Sequence, residues 1–243
     1  MTQPMLVRTI LSCLMLAAAC YSAAAQTLKS LPLDKQMTLA KVGDVDAQFE
    51  VGAAYETGAG VARDEAEAAR WFREAALQGN VEAQYRLARL VSRGAKGLKQ
   101  DQATAIKLYQ DAAGKGYAAA MNALGQAYQQ GQGVDMDLAK AADWYRQAAD
   151  QKLADAENNL GMLYLEGKGV ARDVAQAFQL FERAAAQKDP WGLNNLGGMY
   201  EMGWGTAADA TRALDLYEQA LAAGNLQAQQ NIDRLTANRS SAE

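Results

Sequence analysis

Histidine is absent from all 243 residues of this chain. Without an imidazole there is no Ser-His-Asp or Cys-His nucleophile system, no histidine-bearing zinc site and no haem held by histidine. Cysteine is nearly absent too, with Cys13 and Cys20 the two present, both near the N-terminus. Beyond the first 25 residues the prolines are Pro32 and Pro190 alone. No positive excess exists either: 24 Lys and Arg face 28 Asp and Glu, a net charge of −4. That balance argues against a general nucleic-acid binder, which needs a clustered basic face. What is present, 50% apolar and 21% charged residues, suits a folded chain with ample length for a buried core.

Arg8 is the one charge before Lys29, and a short apolar run, Thr9–Ala19, follows it. A basic start, a short hydrophobic stretch and an Ala-x-Ala end predict a secretory signal peptide over 1–25. The run falls well short of the roughly 20 residues that a membrane-spanning helix needs, so the mature chain is expected to hold no transmembrane helix. Ala23 and Ala25 supply the small side chains, and cleavage is expected between Ala25 and Gln26. The mature protein would be periplasmic or secreted, without cysteine and without disulfides. An alternative is lipidation at Cys20, since Leu16-Ala17-Ala18-Ala19-Cys20 is similar to a bacterial lipobox, with Ala17 where such boxes usually place leucine. That would make an outer-membrane lipoprotein.

A period of about 36 residues governs the rest. One copy reads Ala47, Val51-Gly52, Tyr55, Gly58-Ala59-Gly60-Val61, Asp64, Ala68, Trp71-Phe72, Ala75-Ala76 and Gly79. Later copies repeat it, as in Ala156, Leu160-Gly161, Tyr164, Gly167-Lys168-Gly169-Val170, Asp173, Ala177, Leu180-Phe181 and Ala184-Ala185. Ala47, Val51 and Tyr55 share one face at helical spacing, and the small residues let helices approach closely. Gly-x-Gly ends this first helix, because glycine adopts the left-handed conformation of a C-terminal cap. The recurring Asp64, Asp101, Asp137, Asp173 and Asp209 are placed to cap a second helix, and Glu67 would complete a capping box with Asp64. Trp71 and Trp144 are expected in the core.

This pattern resembles the Sel1-like repeat, a relative of the tetratricopeptide repeat. The resemblance covers about residues 45–225 and implies an all-α fold, an α/α solenoid of about five helix-turn-helix repeats. Such pairs stack into a superhelix with a concave inner surface and a core shared between neighbours. The copies fall at 45–80, 81–117, 118–153, 154–189 and 190–225. A segment with a capping half-repeat, 26–44, precedes them, and a capping helix with a tail, 226–243, follows. Lys152 and Lys188 replace a late glycine of the pattern, which points to local changes in the superhelix.

Most residues that look chemical are explained by the repeat. Gly-x-Gly between two helices is turn chemistry, and no Gly-x4-Gly-Lys-Ser/Thr accompanies it. The Asp series lies one repeat apart, too dispersed for calcium. No catalytic, cofactor or metal residue is assigned, and an enzyme working through paired acids is the least favoured reading. One series escapes: Phe49, Tyr85, Asn122, Asn158 and Asn194 sit two positions before the recurring Leu/Val, off the packing face. In the related tetratricopeptide fold the corresponding face lines the groove. One turn along lie Ala53/Glu56, Arg89/Ser92, Gln126/Gln129, Met162/Leu165 and Gly198/Glu201. Asn offers donor and acceptor, so three in a row could hold the backbone of an extended peptide, or else could bond neighbouring helices. Trp191 would add an aromatic anchor.

The signal peptide and the resemblance together imply an exported, non-enzymatic adaptor binding a protein or extended peptide in its groove, with envelope or signalling regulation among the roles the family suggests. The alternative is a glycan-binding envelope or exopolysaccharide-export factor stacking sugars on Trp191, Trp204, Tyr85 and Phe49. No nucleic-acid partner is expected.

Overall fold

The computed structural model describes residues 27–240 except Ala95, with side chains as far as Ala237. The signal peptide, its cleavage at Ala25/Gln26 and the lipidation alternative at Cys20 lie outside the described residues. The chain is all-α and forms a solenoid of consecutive helix pairs. A short α1 (Leu33–Lys41) leads into α2 (Val45–Thr57), α3 (Glu65–Leu77), α4 (Val81–Arg93) and α5 (Gln102–Gly114). Then come α6 (Ala118–Gln130), α7 (Leu138–Asp150), α8 (Ala154–Glu166), α9 (Val174–Ala186), α10 (Pro190–Met202), α11 (Ala210–Ala222) and α12 (Ala228–Ser240). Two compact units divide at Thr104/Ala105, within α5.

The repeat's punctuation does what its chemistry dictates. Outside the second repeat, where Gly94 has φ 69° and ψ 165°, the first helix ends on a left-handed glycine, as at Gly131 with φ 68°, whose N–H donates to the Ala127 carbonyl. Each second helix starts on the recurring aspartate. Asp64, Asp137, Asp173 and Asp209 accept backbone N–H bonds from the first turn of α3, α7, α9 and α11. Asp101 accepts the Thr104 N–H at 3.0 Å. The capping box expected at Asp64 does not form. Its own N–H donates instead to the Tyr55 carbonyl at 2.9 Å, and Glu67 accepts from Arg70 at 2.7 Å. The same cross-loop bond recurs from Asp137 to Tyr128, Asp173 to Tyr164 and Asp209 to Tyr200. It joins the end of one helix to the start of the next, which folds the pair antiparallel.

These caps have a pH signature. The Thr104 hydroxyl and amide hold Asp101 below the usual carboxylate range, and the Lys140 amide and ammonium do the same for Asp137. A carboxylate lowered in the folded state contributes stability that is complete above its unfolded pKa and lost as pH falls through the folded value. Thermal unfolding midpoints should therefore fall between about pH 5 and about pH 2, the window of lowered carboxylates. Asp137→Asn, which keeps a capping oxygen without the titration, should flatten part of that fall; an unchanged profile would show that other acids dominate.

Inside the pairs, the core is aromatic against glycine. Phe72, Tyr145, Phe181 and Tyr217 are fully buried. Each ring lies on the glycine of its own repeat's first helix: Gly52, Gly125, Gly161 and Gly197. The expectation for the tryptophans needs a correction of one position. Trp71 and Trp144 are only partly buried, while the next residues, Phe72 and Tyr145, fill the core, because 100° of helix rotation moves a side chain from interface to periphery. In the first unit Ala40, Ala47 and Val51 form a small cluster with Leu33, Met37, Tyr55 and Trp71 packed on it. In the second, Phe181, Leu196, Met199, Tyr200 and Tyr217 head a larger one.

Lys152 and Lys188 keep left-handed φ angles of 63° and 62°, where Gly79 has 95°. The turn is retained with strain of about 1 kcal/mol, since a Cβ disfavours that conformation.

Candidate functional site

The asparagines two positions before the recurring Leu each accept a bond from the first helix of the next repeat. Asn159 Nδ2 donates to Asn122 Oδ1 at 3.0 Å, Asn195 Nδ2 to Asn158 Oδ1 at 2.7 Å, and Asn231 Nδ2 to Asn194 Oδ1 at 2.9 Å. The spacing is 37 residues each time, so each rung joins a ladder asparagine to the residue after its counterpart in the next repeat. In the first unit the same offset brings Arg86 over the Phe49 ring at 5.1 Å, with Glu56 accepting from Arg86 Nη1 at 3.0 Å. Arg89 lies 5.8 Å from the Tyr85 ring. Thus the ladder oxygens bond neighbouring helices. The Nδ2 groups of Asn158 and Asn194 are a different matter, because among the described residues they donate to nothing, while no buried side-chain nitrogen lacks a partner. Both therefore reach solvent.

That solvent is a cleft of about 590 Å³ in the second unit, bordered by Asp155, Asn158, Asp189, Trp191 and Asn194. A second cleft of about 270 Å³ adjoins it, sharing Met162, Asn194 and Asn195, and is bordered by Leu165, Met202 and Trp204. Trp191 is 51% exposed and Trp204 44%. The structure thus brings together Asn158, Asn194 and Trp191; Asn122 is bonded to Asn159, which borders the cleft. Phe49 and Tyr85 belong to the first unit.

The apolar floor has a specific origin one turn along the helices. Tyr145 donates to Gln129 at 2.6 Å and Tyr217 to Glu201 at 2.7 Å, so those polar residues serve the scaffold. Burial pushes both phenols up, so neither ionises near neutrality. In the intervening repeat Phe181 has no hydroxyl, and the matching position is Leu165, which faces the cleft. Arg234 closes the far side by a bidentate pair with Glu201 at 2.6 and 2.9 Å.

Two acids were missed by the sequence reading. Asp189 caps α10, accepting the Gly192 N–H at 2.6 Å, and is nine-tenths buried. Its burial raises the carboxyl above the usual aspartate range; the Gly192 amide pulls it down, and the neighbouring Asp155 carboxylate adds to the rise. Asp155 and Trp191 occupy one position in successive repeats, three residues before the ladder asparagines, so one step backward along the helix would have found the row. Among the described residues, no three His, Cys, Asp or Glu side chains come together to hold a metal ion, and no helix is long and apolar enough to cross a membrane.

Paired helices, glycine-on-aromatic packing and first helices linked rung by rung define an α/α repeat solenoid. Five stretches match the Sel1 repeat, 45–80, 81–117, 118–153, 154–189 and 192–225, and the chain belongs to the Sel1 repeat family. Among solved structures it is 34% identical to a protective antigen of uropathogenic Escherichia coli with an SLR fold, covering 82% of this chain and 42% of that one, with a TM-score of 0.73. The chain thus spans less than half of that antigen. A Sel1 repeat protein from Oxalobacter formigenes is 27% identical over 82% of this chain and 86% of its own, with a TM-score of 0.72. An immunity protein of Pseudomonas aeruginosa shares the fold at 17% identity, covering 85% of this chain and 82% of that one, with a TM-score of 0.56. No curated protein matches the chain. Sel1 repeats are typical of protein–protein interaction scaffolds and are generally non-enzymatic.

Proposed function

We propose that this chain is an exported, non-enzymatic adaptor that binds another protein through an extended segment laid along the adjoining clefts of the second unit. The observation that carries this reading is the pair of half-exposed tryptophans, Trp191 and Trp204, set beside asparagine amides with free N–H groups. Large exposed aromatics next to fixed donors are the anchors from which peptide-binding faces are made. The export expectation supports an envelope partner.

The test is a cross-linking pull-down from envelope extract with the parent chain and a Trp191→Ala/Trp204→Ala variant. Both tryptophans are about half exposed, and circular dichroism first confirms that the variant is as helical as the parent. A protein held by the parent and depleted about tenfold with the variant, the effect of losing an anchor, supports the reading. Equal recovery with both would place any binding elsewhere. The exposed tryptophans also suit sugar stacking; tryptophan-dependent retention on immobilised polysaccharide, with no protein captured, would favour the glycan alternative.

A further inference from the structure

The larger cleft has a chemistry of its own. Two carboxyl groups, Asp155 and Asp189, meet at one side, and no lysine or arginine is among the described residues bordering it. Asp189 is nine-tenths buried and cannot move away, since its Oδ1 is held by the first turn of α10. Trp191 presents an aromatic surface on the same cleft. The floor is the second observation: Asn158 is 91% buried, its oxygen is taken by Asn195, and its Nδ2 opens into the cleft with no acceptor. Asn194, less deeply buried, likewise has its oxygen taken by Asn231 one repeat on and borders the same cleft.

These groups ask for two different things. Like charges held together in a partly desolvated place are relieved by a cation, and a tryptophan face favours one as well. Amide donors on a rigid floor ask for carbonyl oxygens, which an extended peptide backbone supplies at regular intervals. A metal ion would meet the first demand only, and a neutral sugar would leave the carboxyl pair uncompensated.

We infer that the cleft over α8 and α10 is a subsite for a basic residue, lysine or arginine, of an extended peptide. The cation sits against Asp155, Asp189 and Trp191, and the flanking peptide carbonyls accept from Asn158 and Asn194. The adjoining Met162, Leu165, Met202 and Trp204 surface then receives a neighbouring apolar side chain. This inference rests on the adaptor reading above and names the chemistry of its partner.

The experiment is selection of a displayed library of random nine-residue peptides on the purified full chain, followed by titration of chosen peptides using tryptophan fluorescence. Enrichment of Lys or Arg at one position is expected. Replacing that residue by norleucine should weaken binding at least tenfold, and the loss should shrink at high salt. Asp155→Asn and Asp189→Asn, each checked by circular dichroism, should remove the preference for the basic residue while leaving the rest of the motif. Asn still caps a helix, and exposed Asp155 offers a test even if the Asp189 variant misfolds. Selected peptides with no basic position would overturn this inference and leave the adaptor reading standing. Failure of the parent to select any peptide above background would overturn both.

Discussion

Gly125→Ala should lower the melting temperature by about 4–8 °C, while Gly198→Ala should raise it by about 2–4 °C. Both substitutions add one methyl group to a helix interior, where alanine is favoured over glycine by about 1 kcal/mol. The difference lies in what the new carbon meets. At Gly125 it would stand 2.5 Å from Cδ1 and Cε1 of Tyr145. That ring is fully buried and its hydroxyl is held by Gln129, so it has no free volume into which to retreat. Overpacking of this kind costs about 3 kcal/mol, leaving a net loss of about 2 kcal/mol after the propensity gain. At Gly198 the nearest atom is the Tyr217 hydroxyl at 3.6 Å, an ordinary contact, so the propensity gain stands alone. Thermal unfolding followed by circular dichroism checks both. A destabilised Gly198→Ala, or a neutral Gly125→Ala, would contradict the proposed packing of glycine against ring.

Glu157→Ala should cost about 3 kcal/mol, and Glu157→Gln clearly less. Glu157 is 1% exposed and lies between two repeats. Its Oε1 accepts from Arg183 Nε at 2.7 Å, its Oε2 accepts from Gln187 Nε2 at 2.7 Å, and Arg183 Nη2 reaches the Ala149 carbonyl at 2.7 Å in the preceding repeat. Alanine strands those donors and opens a cavity. The Arg183 side chain is 48% exposed and keeps part of its hydration, which holds the loss near the lower end for a broken ion pair. Because solenoid repeats are stabilised largely through their neighbours, α8 and α9 should show faster amide hydrogen exchange before the ends of the chain respond. Uniform exchange across the second unit would argue against this interface as the weak point.

The Glu157 cluster belongs to a series that differs in each repeat. In the first, Gln78 donates to Gln48 at 2.8 Å; in the third, Gln151 Nε2 approaches the Met121 sulfur at 3.3 Å. Both pairs are 30 residues apart, as Glu157 and Gln187 are. Periodicity identifies the position but gives no hint that one copy would carry a buried charge.

The sequence by itself determined the repeat, the helix pair within it and the punctuation. These depend on local chemistry: an aspartate that accepts first-turn N–H groups, a glycine that tolerates positive φ, and apolar residues at helical spacing. Its failures were of another kind. Glu67 could have closed a capping box, but the Asp64 N–H was claimed by Tyr55 across the loop. Trp71 and Phe72 both fit an apolar face, and only the angle between the paired helices put Phe72 on Gly52. The asparagines looked equally suited to bonding a ligand or a helix. Tertiary structure gave their oxygens to the next repeat and left the Nδ2 groups of Asn158 and Asn194 to the cleft. Asp155 and Asp189 stand at opposite ends of one repeat and Trp191 opens the next, and they meet only because those helices pack side by side. A period records what the repeats have in common, whereas a site made by their differences depends on which side chains the stacking brings together.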